Sequence, residues 1–341
     1  MSESKPLIYT SAVSKEPLVL DQTKIKFSPN PNPQLIKYGF NNLLHTLDTV
    51  SVISNPYWIY GLSTNFSEDF ETTQQIKKTF GIKHFDRITA IMWELLNLFG
   101  LVNQTTTLAT SANSDIGSNQ TTSLTHMFKK QFDLNLKFSS SNSDIFFVLV
   151  SANTDLEENA ALLMVIKELA STKHKRGSNI ILQLFSTQTS ASAELITYLS
   201  SLFDATYLVK PVSSNDLIDS KYIVFINAKT DFQFPSVKIP GKTFIQSFGI
   251  KSIPMDITNM IQCSNSLLIP AKYHTYNKIQ AYLKTEVYEG ATYVELKNAQ
   301  IANVEQWIKT FSDKDLIQKA FDDGVKLTDK RCTRYANLLI N

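Results

Sequence analysis

The sequence predicts an α/β protein built on a doubly wound sheet, with helical extensions before and after it. Three observations lead there. Between residues 144 and 228, apolar runs of strand length alternate with helix-period segments. Before and after that stretch the apolar residues recur mainly at helical spacing. The 341 residues are 43% hydrophobic and 19% charged, enough apolar mass for a sizeable core. The expected organisation is an N-terminal arm and helical lead-in over 1–82, the sheet domain over 83–230, and a mostly helical extension packed on it over 231–341.

Residues 1–34 are polar and carry Pro6, Pro17, Pro29, Pro31 and Pro33, so an extended, loosely attached arm is expected. Residues 35–53 and 68–82 read as helices. From His84 to Phe99 the helical pattern is clear, with Ile88, Ile91, Met92, Leu95 and Phe99 on one face and Gly100 as C-cap. Residues 103–125 are rich in Thr, Ser and Asn and read as a loop. Residues 144–152 are a buried strand. Thr154-Asp155-Leu156-Glu157 fits a capping box opening a helix with Leu162, Ile166 and Leu169 on one face. A strand at 178–185, a helix at 188–203, and strands at 205–210 and 221–228 follow, the last two as a hairpin-like pair. Residues 229–270 look irregular. Tyr276, Ile279, Leu283 and Val287, then Ile301, Val304, Ile308 and Phe311, repeat at helical spacing, and Ser312 is the expected cap of a short helix to Phe321.

The charge balance is 33 Lys and Arg against 31 Asp and Glu, which weighs against binding driven by bulk attraction to nucleic acid or membrane. Only Arg87, Arg176, Arg331 and Arg334 could supply bidentate phosphate contacts. No two glycines lie closer than Gly241 and Gly249, so neither GxGxxG nor GxxxxGK[ST] occurs. Cys263 and Cys332 cannot build a disulfide framework or a four-thiolate zinc site, and read as thiols in a reducing compartment. His45, His84, His126, His174 and His274 are scattered without metal-ligand spacing. No leader-like or membrane-length apolar run is seen, so a cytosolic protein without metal or cofactor is expected. Lys210-Pro211 reads as a strand end starting a turn, Lys173-His174-Lys175-Arg176 as a solvated loop, and the aromatics as packing rather than a base-stacking platform.

The segment Gly177–Phe225 resembles the C-terminal half of the FtsJ-like RNA ribose 2′-O-methyltransferase fold. The similarity runs through Ile181-Leu182-Gln183-Leu184-Phe185, Leu199-Ser200-Ser201-Leu202-Phe203, Tyr207-Leu208-Val209-Lys210-Pro211-Val212-Ser213-Ser214 and Asp219-Ser220-Lys221-Tyr222-Ile223-Val224. Met92-Trp93-Glu94-Leu95-Leu96 resembles the helix before the cofactor strand of viral members. The family uses a Lys–Asp–Lys–Glu tetrad to deprotonate the ribose hydroxyl. By this resemblance the four positions are Ile91, Ala152, Gln183 and Ser220, none able to do that work, and the glycine-rich cofactor loop is replaced by TTTLATSANSDIG. The resemblance therefore implies a Rossmann-like sheet over 83–230 kept after catalysis was lost, with no catalytic and no cofactor-binding residues.

A second resemblance is to the small subunit of poxvirus-type mRNA capping enzymes, which has this inactive fold. It is carried by Pro33-Gln34-Leu35-Ile36-Lys37-Tyr38-Gly39-Phe40-Asn41, by Ser201-Leu202-Phe203, and by the loop ending Asp219-Ser220. It implies a non-catalytic regulatory subunit, bound as a heterodimer to the catalytic large subunit and activating its guanine-N7 methyltransferase domain. It further implies a contact with the viral RNA polymerase, weak or indirect RNA contact, and a place in the host cytoplasm and the virion. An active 2′-O-methyltransferase with relocated residues and a structural or transcription-associated protein are the alternative readings.

Overall fold

An apolar run buried on both faces belongs inside a sheet covered by helices on both sides. Ile145-Phe146-Phe147-Val148 is such a run. Around it the computed structural model, which describes residues 5–11, 16–30, 66, 70–111, 117–139, 143–150, 155–185, 187, 189–214, 220–284 and 290–340, places a mixed seven-stranded sheet. Along the chain come β1 (Leu7–Ser11), β2 (Lys26–Ser28), α1 (Phe70–Phe80), α2 (Arg87–Leu98), β3 (Thr105–Thr110), α3 (Ser118–Phe132), β4 (Asn135–Phe138), β5 (Ile145–Val148) and α4 (Asp155–Ser171). Then follow β6 (Lys173–His174), β7 (Asn179–Phe185), α5 (Ser190–Leu202), β8 (Phe203–Lys210), β9 (Ser220–Ala228), β10 (Phe232–Gln233), β11 (Phe244–Ser247), α6 (Met255–Lys284), α7 (Ala291–Phe311) and α8 (Lys314–Ile340).

The sheet order is β1-β8-β9-β7-β5-β3-β4. Strands β4, β3, β5 and β7 are parallel. Strand β9 is antiparallel to both β7 and β8, and β1 is antiparallel to β8. Strand β8 therefore runs in the same direction as β7. This is a Rossmann-like α/β sheet with helices on both faces. One apolar layer joins Leu162, Ile166 and Leu169 of α4, Leu195 and Leu199 of α5, and Met260 of α6 to the sheet. The other joins Trp93 and Leu96 of α2, Phe128 of α3 and Trp307 of α7. Each large side chain fully buried in these layers is worth about 1.5–3 kcal/mol relative to exposure.

Helix α2 starts where Asp86 accepts the Thr89 N–H at 2.8 Å, and it ends before Gly100, whose φ of +56° closes the turn as expected. The strands expected between 144 and 228 are present, including the antiparallel β8–β9 pair. Strand β8 ends at Lys210, and the turn that Pro211 opens is closed by Ser214 N–H donating to its carbonyl at 3.3 Å. The stretch 103–125, expected to be a loop, contains β3 and the start of α3, with residues 112–116 between them outside the described residues. Threonine is β-branched and suits a strand despite its polarity. Thr106, Leu108 and Ala109 are buried, and Thr107 donates from N and Oγ1 to Asp144 Oδ2, both at 2.7 Å.

The expected irregular stretch 229–270 contains β10, β11 and the start of α6, which carries Pro270 inside it. The cap before α8 is Asp313, not Ser312: its Oδ1 accepts from Asp315 N at 2.9 Å and Leu316 N at 3.2 Å. A carboxylate is a stronger acceptor there than a hydroxyl and favours the helix N-terminus electrostatically. Helix α8 also continues past Phe321 to Ile340. The helix expected over 35–53 lies outside the described residues, as do Val287 and the Thr154 end of the capping box.

The arm expected to be loosely attached contributes β1 to the sheet edge. Helix α8 lies against it: a Cβ on Gly324 would stand 2.8 Å from the Pro6 carbonyl oxygen, and Thr328 Oγ1 donates to the Ile8 carbonyl. The cysteines correct a second expectation. Cys263 of α6 and Cys332 of α8 form a disulfide, with their Cα atoms 5.6 Å apart. The fold brings two residues 69 positions apart into bonding range, which their spacing in sequence does not reveal.

Candidate functional site

In open α/β sheets, ligands bind outside the carboxyl ends of the parallel strands. Here those ends belong to β3, β5, β7 and β8. After β7 the chain passes Thr187, fully buried at φ +48°, and reaches Thr189, the N-cap of α5. A helix N-terminus at this place is ready to hold an anion. Glu158 of α4 already occupies it. Its Oε1 accepts from Thr189 N at 3.2 Å, from Thr189 Oγ1 at 3.0 Å, and from the Ser192 hydroxyl.

Lys221, fully buried on β9, pairs across the ladder with Leu184. Its Nζ donates to Thr187 Oγ1 at 3.3 Å and to Asn265 Oδ1 of α6. The lysine therefore ties together β9, the β7–α5 connection and α6. At the end of β8, Glu94 of α2 is fully buried and accepts four hydrogen bonds. Oε1 takes Val212 N at 2.7 Å; Oε2 takes Ser213 N at 3.0 Å, Ser213 Oγ at 2.8 Å and Trp307 Nε1 at 3.2 Å. Burial pushes this carboxyl above the usual range, and the four donors pull it back toward the charged form. Glu94 thus fastens the turn after Lys210-Pro211 to two helices. Glu194 of α5 does the same for the segment after β11, accepting from Ser247 Oγ, Phe248 N and Ile250 N at 2.9, 2.7 and 3.3 Å.

The positions expected from the tetrad resemblance fall as follows. Ile91 is buried on α2 in the same apolar layer as Ile181 and Tyr222. Gln183 is half-buried and opposes Tyr222, while Ser220 opposes Phe185 two rungs along the same ladder. Ala152 lies outside the described residues. Gln183 follows Ile181 by two residues on β7, so it shares that side of the sheet; Lys221, next to Tyr222, faces the other side. The structure thus brings Ile91 and Gln183 to one side and puts the buried lysine on the opposite one.

Lys173-His174 is not part of a solvated loop but forms β6, paired with β10, while Arg176 N donates to Asp231 Oδ1 at 2.7 Å. His174 is buried, stacks on Phe232 with centroids 4.8 Å apart, and is held near pKa 4 by desolvation. Among the described residues no group of three or more His, Cys, Asp and Glu is placed to hold a metal, and no helix is long and apolar enough to cross a membrane. A groove of about 660 Å³ lies at the other end of the sheet, beside Phe99, Tyr207 and Phe321.

No model of a known protein family matches the chain. It is 34% identical, over 348 aligned positions, to the uncharacterized protein R383 of Acanthamoeba polyphaga mimivirus, and the match covers 98% of each chain. The chain belongs to the R383 family. Because the match spans nearly the whole length of both, the R383 relationship takes in the edge strand β1 and the final helix α8 as well as the central strands.

Sequence reasoning missed Glu94, Glu158, Glu194 and Lys221. The signal for Glu94 and Lys221 was a charge set inside an apolar run, MWELL in one case and KYIVF in the other. Glu158 and Glu194 sit in helices whose sequence gives no sign that these carboxylates serve buried donors, and only the tertiary contacts distinguish them.

Proposed function

We propose that this chain is the non-catalytic regulatory subunit of a viral mRNA capping enzyme. In this reading it binds the catalytic large subunit as a heterodimer and activates its guanine-N7 methyltransferase domain. The observation that carries the proposal is the pairing of a Rossmann-like sheet with non-ionisable side chains at Ile91 and Gln183, where the FtsJ-like fold needs lysines. Support also comes from the strand order, in which a single antiparallel strand, β9, is inserted between β7 and β8. The α5 N-terminus is filled by the chain's own Glu158, which favours a structural use of that end of the sheet. A viral relative is compatible with work in the host cytoplasm beside a viral polymerase, and with carriage in the virion.

A fold can persist for its surface after its chemistry has gone. Activation then requires only that the subunit bind one conformation of its partner better than another. A coupling of ~1–3 kcal/mol changes affinity by roughly 5–150-fold. The test is to express the chain with and without a candidate large subunit and to measure cap N7-methylation. Stimulation together with a stable one-to-one complex is expected. No stimulation, or micromolar binding of S-adenosylmethionine to the isolated chain by calorimetry, overturns the proposal.

A further inference from the structure

The disulfide has two unequal ends. Cys263 is only 3% exposed and packs in the apolar layer of α4, α5 and α6. Cys332 is partly exposed. It lines an open cleft of about 320 Å³ between α6 and α8, together with Tyr9, Thr10, Asp256, Asn259, Met260 and Asp329. The bond also closes over something. Strand β1 is the last strand of the sheet, so one row of its backbone groups faces away from β8. Helix α8 covers that edge, with Thr328 taking the Ile8 carbonyl, while Tyr9 packs in the α6 layer and Ile8 in the α8 layer. Helices α6 and α8 therefore straddle β1, and the disulfide joins them.

We propose that Cys332 is a site of thiol–disulfide exchange, at which a small thiolate entering the α6–α8 cleft opens a clasp over strand β1. The thiolate sulfur attacks Cys332 Sγ and forms a mixed disulfide there. The Cys263–Cys332 bond breaks, its electron pair leaves on Cys263 Sγ, and that thiolate takes a proton from water. A second thiol completes the reduction, releasing the small-molecule disulfide and leaving Cys332 as a thiol. Buried Cys263 is the leaving group and not the point of attack. The charged side chains lining the cleft are Asp256 and Asp329, two carboxylates against one nearby cation, Arg331, whose charge reaches Tyr9, so the site favours a cationic thiol over an anionic one. This inference does not depend on the function proposed above.

The test uses the full oxidised chain, with cysteamine as the cationic thiol and glutathione as the anionic one. Each rate is normalised to the same thiol's attack on a small-molecule disulfide. After quenching with N-ethylmaleimide, peptide mass spectrometry is expected to find cysteamine on Cys332 and maleimide on Cys263. At low salt cysteamine should react about tenfold faster than glutathione, with the gap narrowing toward parity in 1 M salt. Hydrogen exchange across residues 7–11 should rise at least tenfold on exchange, and the double variant Cys263→Ser, Cys332→Ser should show the same rise without any thiol. Adduct on Cys263, reaction only in denaturant, an equal or faster rate for glutathione at low salt, unchanged exchange in β1, or two free thiols in protein prepared under oxidising conditions would each overturn the proposal.

Discussion

Replacing Glu94 by Ala removes an acceptor that serves two backbone N–H groups, one hydroxyl and one indole N–H. The hydroxyl of Ser213 can turn to another partner. Val212 N, Ser213 N and Trp307 Nε1 cannot, and each buried donor left without an acceptor costs about 1–3 kcal/mol. The simple sum, about 3–9 kcal/mol, is an upper bound, because water enters the space and the cost of burying a carboxylate is recovered. A net loss of about 3–5 kcal/mol is expected, in the lower part of that range. Glu94→Gln keeps the shape but turns an amide NH₂ toward one of the same donors, so an intermediate loss is expected. Urea unfolding followed by circular dichroism reads both as a lower midpoint at constant slope. If Glu94→Ala costs less than about 1 kcal/mol with the slope unchanged, the four bonds do not hold the turn after Pro211 and the reasoning fails.

Two further outcomes follow from the same packing. His174 has a folded pKa of about 4 against 6.5 when unfolded, so its contribution is complete above pH 6.5. It is lost as pH falls toward 4, over a span worth about 3 kcal/mol; His174→Phe should flatten that part of a stability-against-pH curve, and an unchanged slope would count against the burial argument. Gly324→Ala places a methyl 2.8 Å from the Pro6 carbonyl oxygen and 3.1 Å from Ile8 Cδ1. Lifting α8 off β1 by that amount should cost about 1–3 kcal/mol by thermal or urea unfolding, and a neutral result would mean the contact is looser than the geometry implies.

The parts of the fold legible in the sequence were those whose burial is written in local pattern. The IFFV run of β5, the apolar run of β7 and the β8–β9 pair needed no distant partner to be recognised. Strand β3 escaped because TTTLAT looks polar, although Thr106 and Thr107 satisfy their hydroxyls on Asn103 and Asp144 within a half-buried strand. The start of α6 was hidden by QCSNS and Pro270, and the extension of α8 by DDG at 322–324. At the candidate site, the substituted positions could be named from order and spacing, but the side chains that organise the region could not. Glu94 finds its donors 118, 119 and 213 positions away, distances at which sequence carries no geometric signal. The disulfide was unreadable for the same reason, since two cysteines without a spacing rule say nothing about where their helices meet.

The pairing of β1 with β8, and the packing of α8 on β1, also bears on the order of synthesis. The Ile8 carbonyl meets its donor, Thr328 Oγ1, across 320 positions, and Lys5 reaches Asp323 across 318. Strand β1 cannot finish folding until residues made more than three hundred codons later have left the ribosome. Until then the outer edge of β1 lacks its α8 cover, and the nascent chain depends on chaperones or on speed to keep that edge from a neighbour. For this protein, translation rate and the fate of stalled chains are thus coupled to whether the open side of the sheet is ever shielded.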